Sequence, residues 1–100
     1  MLGRPREGLE DCEASLRLKA GDAFTLDSRG LCYLKLGELD LAIDDFTAAL
    51  KANPKIANAL YGRGLAKRKK GDDSGADGDL AAARAVYADI SDEFRTYGIE

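Results

Sequence analysis

Apolar side chains return every three or four residues along most of this chain, interrupted by short breaks of Gly, Asn, Asp and Pro. That spacing places them on one face of an α-helix. Leu9, Cys12 and Leu16 predict a first helix over about 5–19, with Pro5 in its opening turn. Gly21-Asp22 separates it from a second helix over about 23–36, which carries Leu26, Gly30, Tyr33 and either Leu34 or Leu36 inward and stops at Gly37. Ala42, Ile43, Phe46, Ala49 and Leu50 predict a third helix over about 39–52, ended by Asn53-Pro54 because the residue before proline leaves the helical region. A fourth, over about 56–70, buries Leu60, Gly64 and Leu65 before Gly71-Asp72-Asp73 breaks it. Ala76, Leu80, Ala83, Tyr87, Ile90, Phe94 and Tyr97 then form one continuous seam. They predict either one long helix or a helix over about 74–87, a break near 88–90 and a last helix to about 97.

The pattern also repeats at a fixed offset of thirty-four residues. Leu26, Arg29, Gly30, Leu31, Lys35, Gly37, Ala42, Asp45 and Ala49 recur as Leu60, Arg63, Gly64, Leu65, Lys69, Gly71, Ala76, Asp79 and Ala83. A period of this size marks stacked supersecondary units that bury their apolar faces against one another. Gly30, in mid-helix, costs about 1 kcal/mol against alanine, a cost a helix bears where another backbone must approach closely.

Numbered from Ala23, the central unit reads Leu26, Arg29, Gly30, Tyr33, Leu36-Gly37, Ala42, Phe46, Ala49 and Pro54. It resembles the tetratricopeptide repeat. The next unit keeps Leu60, Gly64, Gly71, Ala76, Leu80 and Ala83, and departs at Lys67, Lys70 and Ala88, where the family favours Tyr, Leu and Pro. The resemblance implies an all-α, right-handed superhelical stack of antiparallel helix pairs in one domain. Residues 1–22 would be the second helix of a partial repeat, 23–56 and 57–88 two repeats, and 89–100 a capping helix.

It also implies a function. The first helix of each pair lines a concave groove in this family, and the matching positions are Phe24, Asp27, Ser28, Leu31 and Leu34, then Asn58, Tyr61, Gly62, Leu65 and Arg68. This mixture suits a peptide or protein partner held by a few apolar anchors with some polar register. Leu31 and Leu65 are equally explained as packing between repeats. Some adaptors of the family grip a carboxylate with Lys, Asn and Arg; here those positions hold Ser28, Asn58 and Gly62, so no such clamp is expected. The alternative function is assembly, two copies pairing through the exposed face of the N-terminal helix at Leu9, Cys12 and Leu16.

Composition narrows the field further. Of 100 residues, 45% are hydrophobic and 33% charged, which suits a helix-rich globular chain rather than a disordered one. No apolar run is long enough to span a bilayer, the start lacks a secretory pattern, and a cytoplasmic setting is expected. Histidine is absent, which removes His-based acid, base or nucleophile activation, and no glycine-rich phosphate loop occurs. No catalytic residue, cofactor or metal site is expected. Cys12 and Cys32 fit no zinc spacing and read as small core residues, with a disulfide as the lesser alternative. The net charge is −3, so nucleic acid is not expected as a partner on charge grounds. The basic run Lys67–Lys70 fans around a helix at about 100° per residue and cannot face one phosphate backbone. Carboxylates such as Asp44/Asp45 and Asp72/Asp73 read as solvated faces and helix starts.

Overall fold

Aspartates open two of the helices and glycines close two. The computed structural model describes residues 22–97, which form α1 (Ala23–Leu36), α2 (Leu39–Ala52), α3 (Ala57–Lys69), α4 (Asp73–Val86) and α5 (Ile90–Tyr97). The predicted helix over about 5–19, Cys12, and the N-terminal face at Leu9 and Leu16 lie outside the described residues.

Asp22 caps α1 by accepting from the Thr25 N–H at 3.1 Å, and Asp72 caps α4 by accepting from the Gly75 N–H at 3.0 Å. The opposite ends of α1 and α3 close identically. Gly37 and Gly71 adopt φ of 83° and 92°, a left-handed conformation that disfavours a side chain. The Gly37 N–H donates to the Leu34 carbonyl and Glu38 N–H to that of Tyr33. One repeat later, Gly71 N–H donates to Arg68 and Asp72 N–H to Lys67. Both are glycine-terminated helix ends that satisfy the last carbonyls.

Short turns fold α1 onto α2 and α3 onto α4 as antiparallel pairs, and α2 packs on α3 to join them. The two pairs correspond at the thirty-four-residue step down to single contacts. A Cβ on Gly30 would stand 2.7 Å from Phe46 Cε1; one on Gly64 would stand 2.9 Å from Leu80 Cδ2, and Leu80 is Phe46 plus thirty-four. The mid-helix glycines therefore serve close approach by the facing helix. Phe46 is completely buried, with Ala42, Ala49, Ala59, Tyr61 and Leu80 in the same core.

The carboxylates depart from the solvated-face expectation at two positions. Asp45 and Asp79 are buried, and each receives a two-pronged guanidinium. Arg29 donates Nε and Nη2 to Asp45 at 2.7 Å each; Arg63 donates the same two nitrogens to Asp79 at 2.8 and 2.9 Å. Planar fork-to-carboxylate geometry of this kind fixes orientation as well as adding energy. Lys67, where the family favours Tyr, joins the second pair with Nζ 3.0 Å from Asp79 Oδ2. Its counterpart Tyr33 instead lies under Arg29, whose guanidinium carbon is 5.6 Å from the ring centroid. Lys70 pairs with Asp40 across the repeat boundary. The basic run thus contributes two of its members to structural ion pairs.

Of the two readings of the C-terminal seam, the structure adopts the broken one. α4 ends at Tyr87, whose φ of −146° and ψ of 103° are extended, and α5 restarts at Ile90. The break takes Tyr87 out of the seam, leaving it 43% exposed, whereas Ile90 and Phe94 are fully buried. Leu34 rather than Leu36 turns into the core, and Ile43 is only partly covered. Cys32 is buried in the core, as a small apolar residue would be. No strand occurs among the described residues, and no helix there is long and apolar enough to cross a membrane.

Candidate functional site

The first helix of each pair and α5 bound a cleft of about 360 Å³. Phe24 and Asp27 of α1 form one wall. The α2–α3 turn contributes Asn53, Lys55 and Ile56, and the start of α3 contributes Ala57 and Asn58. Tyr87 and Glu93 close the remaining side. Phe24 is 64% exposed at the rim, while Asn58 is half-buried.

Three groove positions named from the sequence, Phe24, Asp27 and Asn58, therefore meet at one site. Others do not reach solvent. Leu31, Leu34 and Leu65 are buried in the core, which selects the packing explanation for Leu31 and Leu65. Gly62 is buried beneath Phe46. Ser28 is half-buried on α1, and Arg68 is exposed in the last turn of α3, away from the cleft wall.

Tyr61 is the clearest correction. It has no exposed surface, because α5 lies across α3 at this point. The Phe94 ring sits 4.7 Å from the Tyr61 ring at a 55° tilt, and the phenol donates to Ser91 Oγ at 3.1 Å. Arg84 of α4 approaches the same ring, 5.9 Å from its centroid. Tyr61 is a core residue that holds α5 in place.

Sequence reasoning missed Tyr87, Glu93 and the α2–α3 turn as parts of the site. One signal was present: Tyr87 stands one repeat after Asn53. Both cap their helices in the same extended conformation, with φ of −146° in each. Two equivalent helix ends thus supply two walls of the cleft.

The electrostatics centre on Asp27. It is 6% exposed, and its buried Oδ1 has no hydrogen-bond partner among the described residues. Burial pushes its carboxyl up from 3.8 to about 7. Asp79 contrasts with it. Burial also opposes ionisation there, but hydrogen bonds and charge from Arg63 and Lys67 outweigh it and hold the carboxyl below its usual value. Among the described residues no cluster of His, Cys, Asp and Glu has the makings of a metal site.

Paired helices at a constant step, glycines under bulky side chains and a cleft across the first helices define a helical-repeat solenoid. Residues 28–56 match the profile of the tetratricopeptide repeat, and the chain carries this repeat. As a class these repeats are non-catalytic scaffolds for protein–protein interaction. The chain is similar to Photosystem I assembly protein Ycf3 of Prochlorococcus marinus strain MIT 9301, 36% identical over 77 residues, covering 74% of this chain and 44% of that protein. The same protein of strain MIT 9312 is 32% identical over 97 residues, covering 94% and 56%. Outer dynein arm-docking complex subunit 4 of Mus musculus is 28% identical over 60 residues, covering 60% of this chain and 10% of that protein. The chain spans about half the length of the photosystem assembly proteins it matches.

Proposed function

We propose that this chain holds a partner protein by seating an extended segment of it in the cleft between α1, α3 and α5. The observation that carries this reading is the contrast along the first helices: Leu31, Leu34 and Leu65 are closed into the core, while Phe24, Asp27 and Asn58 line a cleft of about 360 Å³. An exposed aromatic beside buried and half-buried polar groups is the arrangement by which interfaces combine an anchor with register. The names of the relatives, an assembly protein and a docking-complex subunit, favour a role in bringing subunits together rather than in chemistry.

Twelve-residue peptides selected from a random displayed library test it. Bound peptides are expected to perturb the backbone amides of Phe24, Asp27 and Asn58, and to lose binding on Phe24→Ser or Asn58→Ala. Perturbations confined to α2, around exposed Leu41, would overturn the cleft as the working surface.

A further inference from the structure

Asp27 poses a problem that the fold leaves unsolved. A buried polar atom without a partner forfeits its hydration and receives nothing in exchange, a cost of about 1–3 kcal/mol and more for a charge. Yet the ion pairs and side-chain hydrogen bonds among the described residues leave its Oδ1 unmatched. The residue that bears this cost lines the cleft to which an exposed Phe24 and an exposed Tyr87 both belong.

We propose that this cleft seats a lysine or arginine side chain of the bound partner, with Asp27 as its counter-charge and Phe24 and Tyr87 as its aromatic walls. The proposal rests on the cleft being the partner-binding surface and goes on to name the side chain it selects. Three observations favour a cation over a neutral or apolar side chain. An unmatched carboxylate oxygen is satisfied most strongly by a charged donor. Aromatic faces attract cations through their quadrupole, which a neutral amide does not exploit. Glu93 adds a second carboxylate against the single ammonium of Lys55, so the cleft carries a net negative charge when Asp27 is ionised. The raised carboxyl of Asp27 fits the same picture, since an arriving cation would return it to the charged form. A cleft of about 360 Å³ lies within the range, roughly 300–1,000 Å³, that holds small ligands, and it exceeds one long side chain. The neighbouring stretch of partner backbone can enter with that side chain, within reach of Asn53 and Asn58.

The same selected peptides decide the matter. They are expected to share a lysine or arginine, and its replacement by norleucine in a synthetic peptide is expected to weaken binding about tenfold. On the Asp27→Asn protein, parent and norleucine peptides should bind alike, because the charge partner is gone. Phe24→Ser, at an exposed position that leaves folding intact, should weaken the parent peptide more than the norleucine one. Circular dichroism melts of both variants confirm folding. Peptides that need Phe24 and Asn58 but share no basic residue would overturn the cation seat while leaving the cleft as binding surface. So would losses from norleucine and from Asp27→Asn that simply add. Peptides indifferent to Phe24→Ser and Asn58→Ala, or no selected peptide at all, would overturn both readings.

Discussion

Gly62 lies so close beneath the ring of Phe46 that a Cβ on it would stand 2.5 Å from Cζ. The same ring covers Gly30 at 2.7 Å, so one phenylalanine from α2 rests on bare backbone of both α1 and α3. It joins the halves of its own pair and seats the next pair upon it. Coupling between repeats therefore runs through a fully buried side chain and two absent ones.

Alanine at Gly30 or Gly62 should accordingly destabilise the chain, by about 1–3 kcal/mol for forcing a methyl group into a filled core. Gly78 is the control. It is exposed on α4, where an added methyl group would meet nothing within 4 Å, so Gly78→Ala should stabilise by about 0.5–1 kcal/mol. Urea midpoints of the three variants measure both signs. Equal effects at positions 62 and 78 would remove the packing explanation.

Tyr61 and Phe94 predict the behaviour of α5. Phe94→Ala should cost about 3–5 kcal/mol and strip α5 from α3, since the helix has few other contacts. Tyr61→Phe removes the hydroxyl bond to Ser91 and keeps the ring, and should cost about 1 kcal/mol. Amide hydrogen exchange across Ile90–Tyr97 distinguishes the two: loss of protection is expected for Phe94→Ala alone.

Asp27 gives the chain an unusual pH response. Its folded carboxyl titrates at about 7 against an unfolded value of 3.8, so between those two points the folded state binds the proton more tightly. The stability it contributes is fully present below about pH 4 and is lost as pH rises through 7, by at most about 4 kcal/mol. Asp27→Asn, beside unchanged Lys55 and Glu93, should abolish that decline and leave the protein more stable than wild type at pH 8. Thermal melts from pH 4 to 8 provide the measurement.

Asp79 acts in the opposite direction. Its folded carboxyl is depressed by Arg63 and Lys67, so its contribution is present above the unfolded value of 3.8 and disappears as pH falls through the folded one. Asp79→Ala at neutral pH leaves two cations facing each other and should cost about 2–4 kcal/mol. Asp45→Ala removes the counter-charge of a single cation, Arg29, which keeps its place over Tyr33, and should cost less. Denaturant unfolding of the two variants, at matched salt, compares the repeats directly.

Helix limits were legible because they depend on neighbours in sequence. Apolar period, capping Asp22 and Asp72, and left-handed Gly37 and Gly71 act within a turn or two. The thirty-four-residue step carried the pairing as well, since Gly30 with Phe46 and Gly64 with Leu80 are one contact made twice. The buried Arg–Asp pairs were visible only as recurring letters, and nothing local distinguishes a paired carboxylate from a solvated one.

Asp27 and Tyr61 mark where sequence alone stops. They occupy the same seat in successive units, one step apart, and periodicity assigns them the same surface. Folding separates them: α5 comes to rest on Tyr61 through Phe94, whereas Asp27 is left at the wall of a cleft with one oxygen unmatched. Local periodicity decides which way a side chain points, because backbone geometry alone sets it. Exposure is decided by whatever packs opposite, here α5, the helix end at Tyr87 and the α2–α3 turn, and only the assembled fold brings those together.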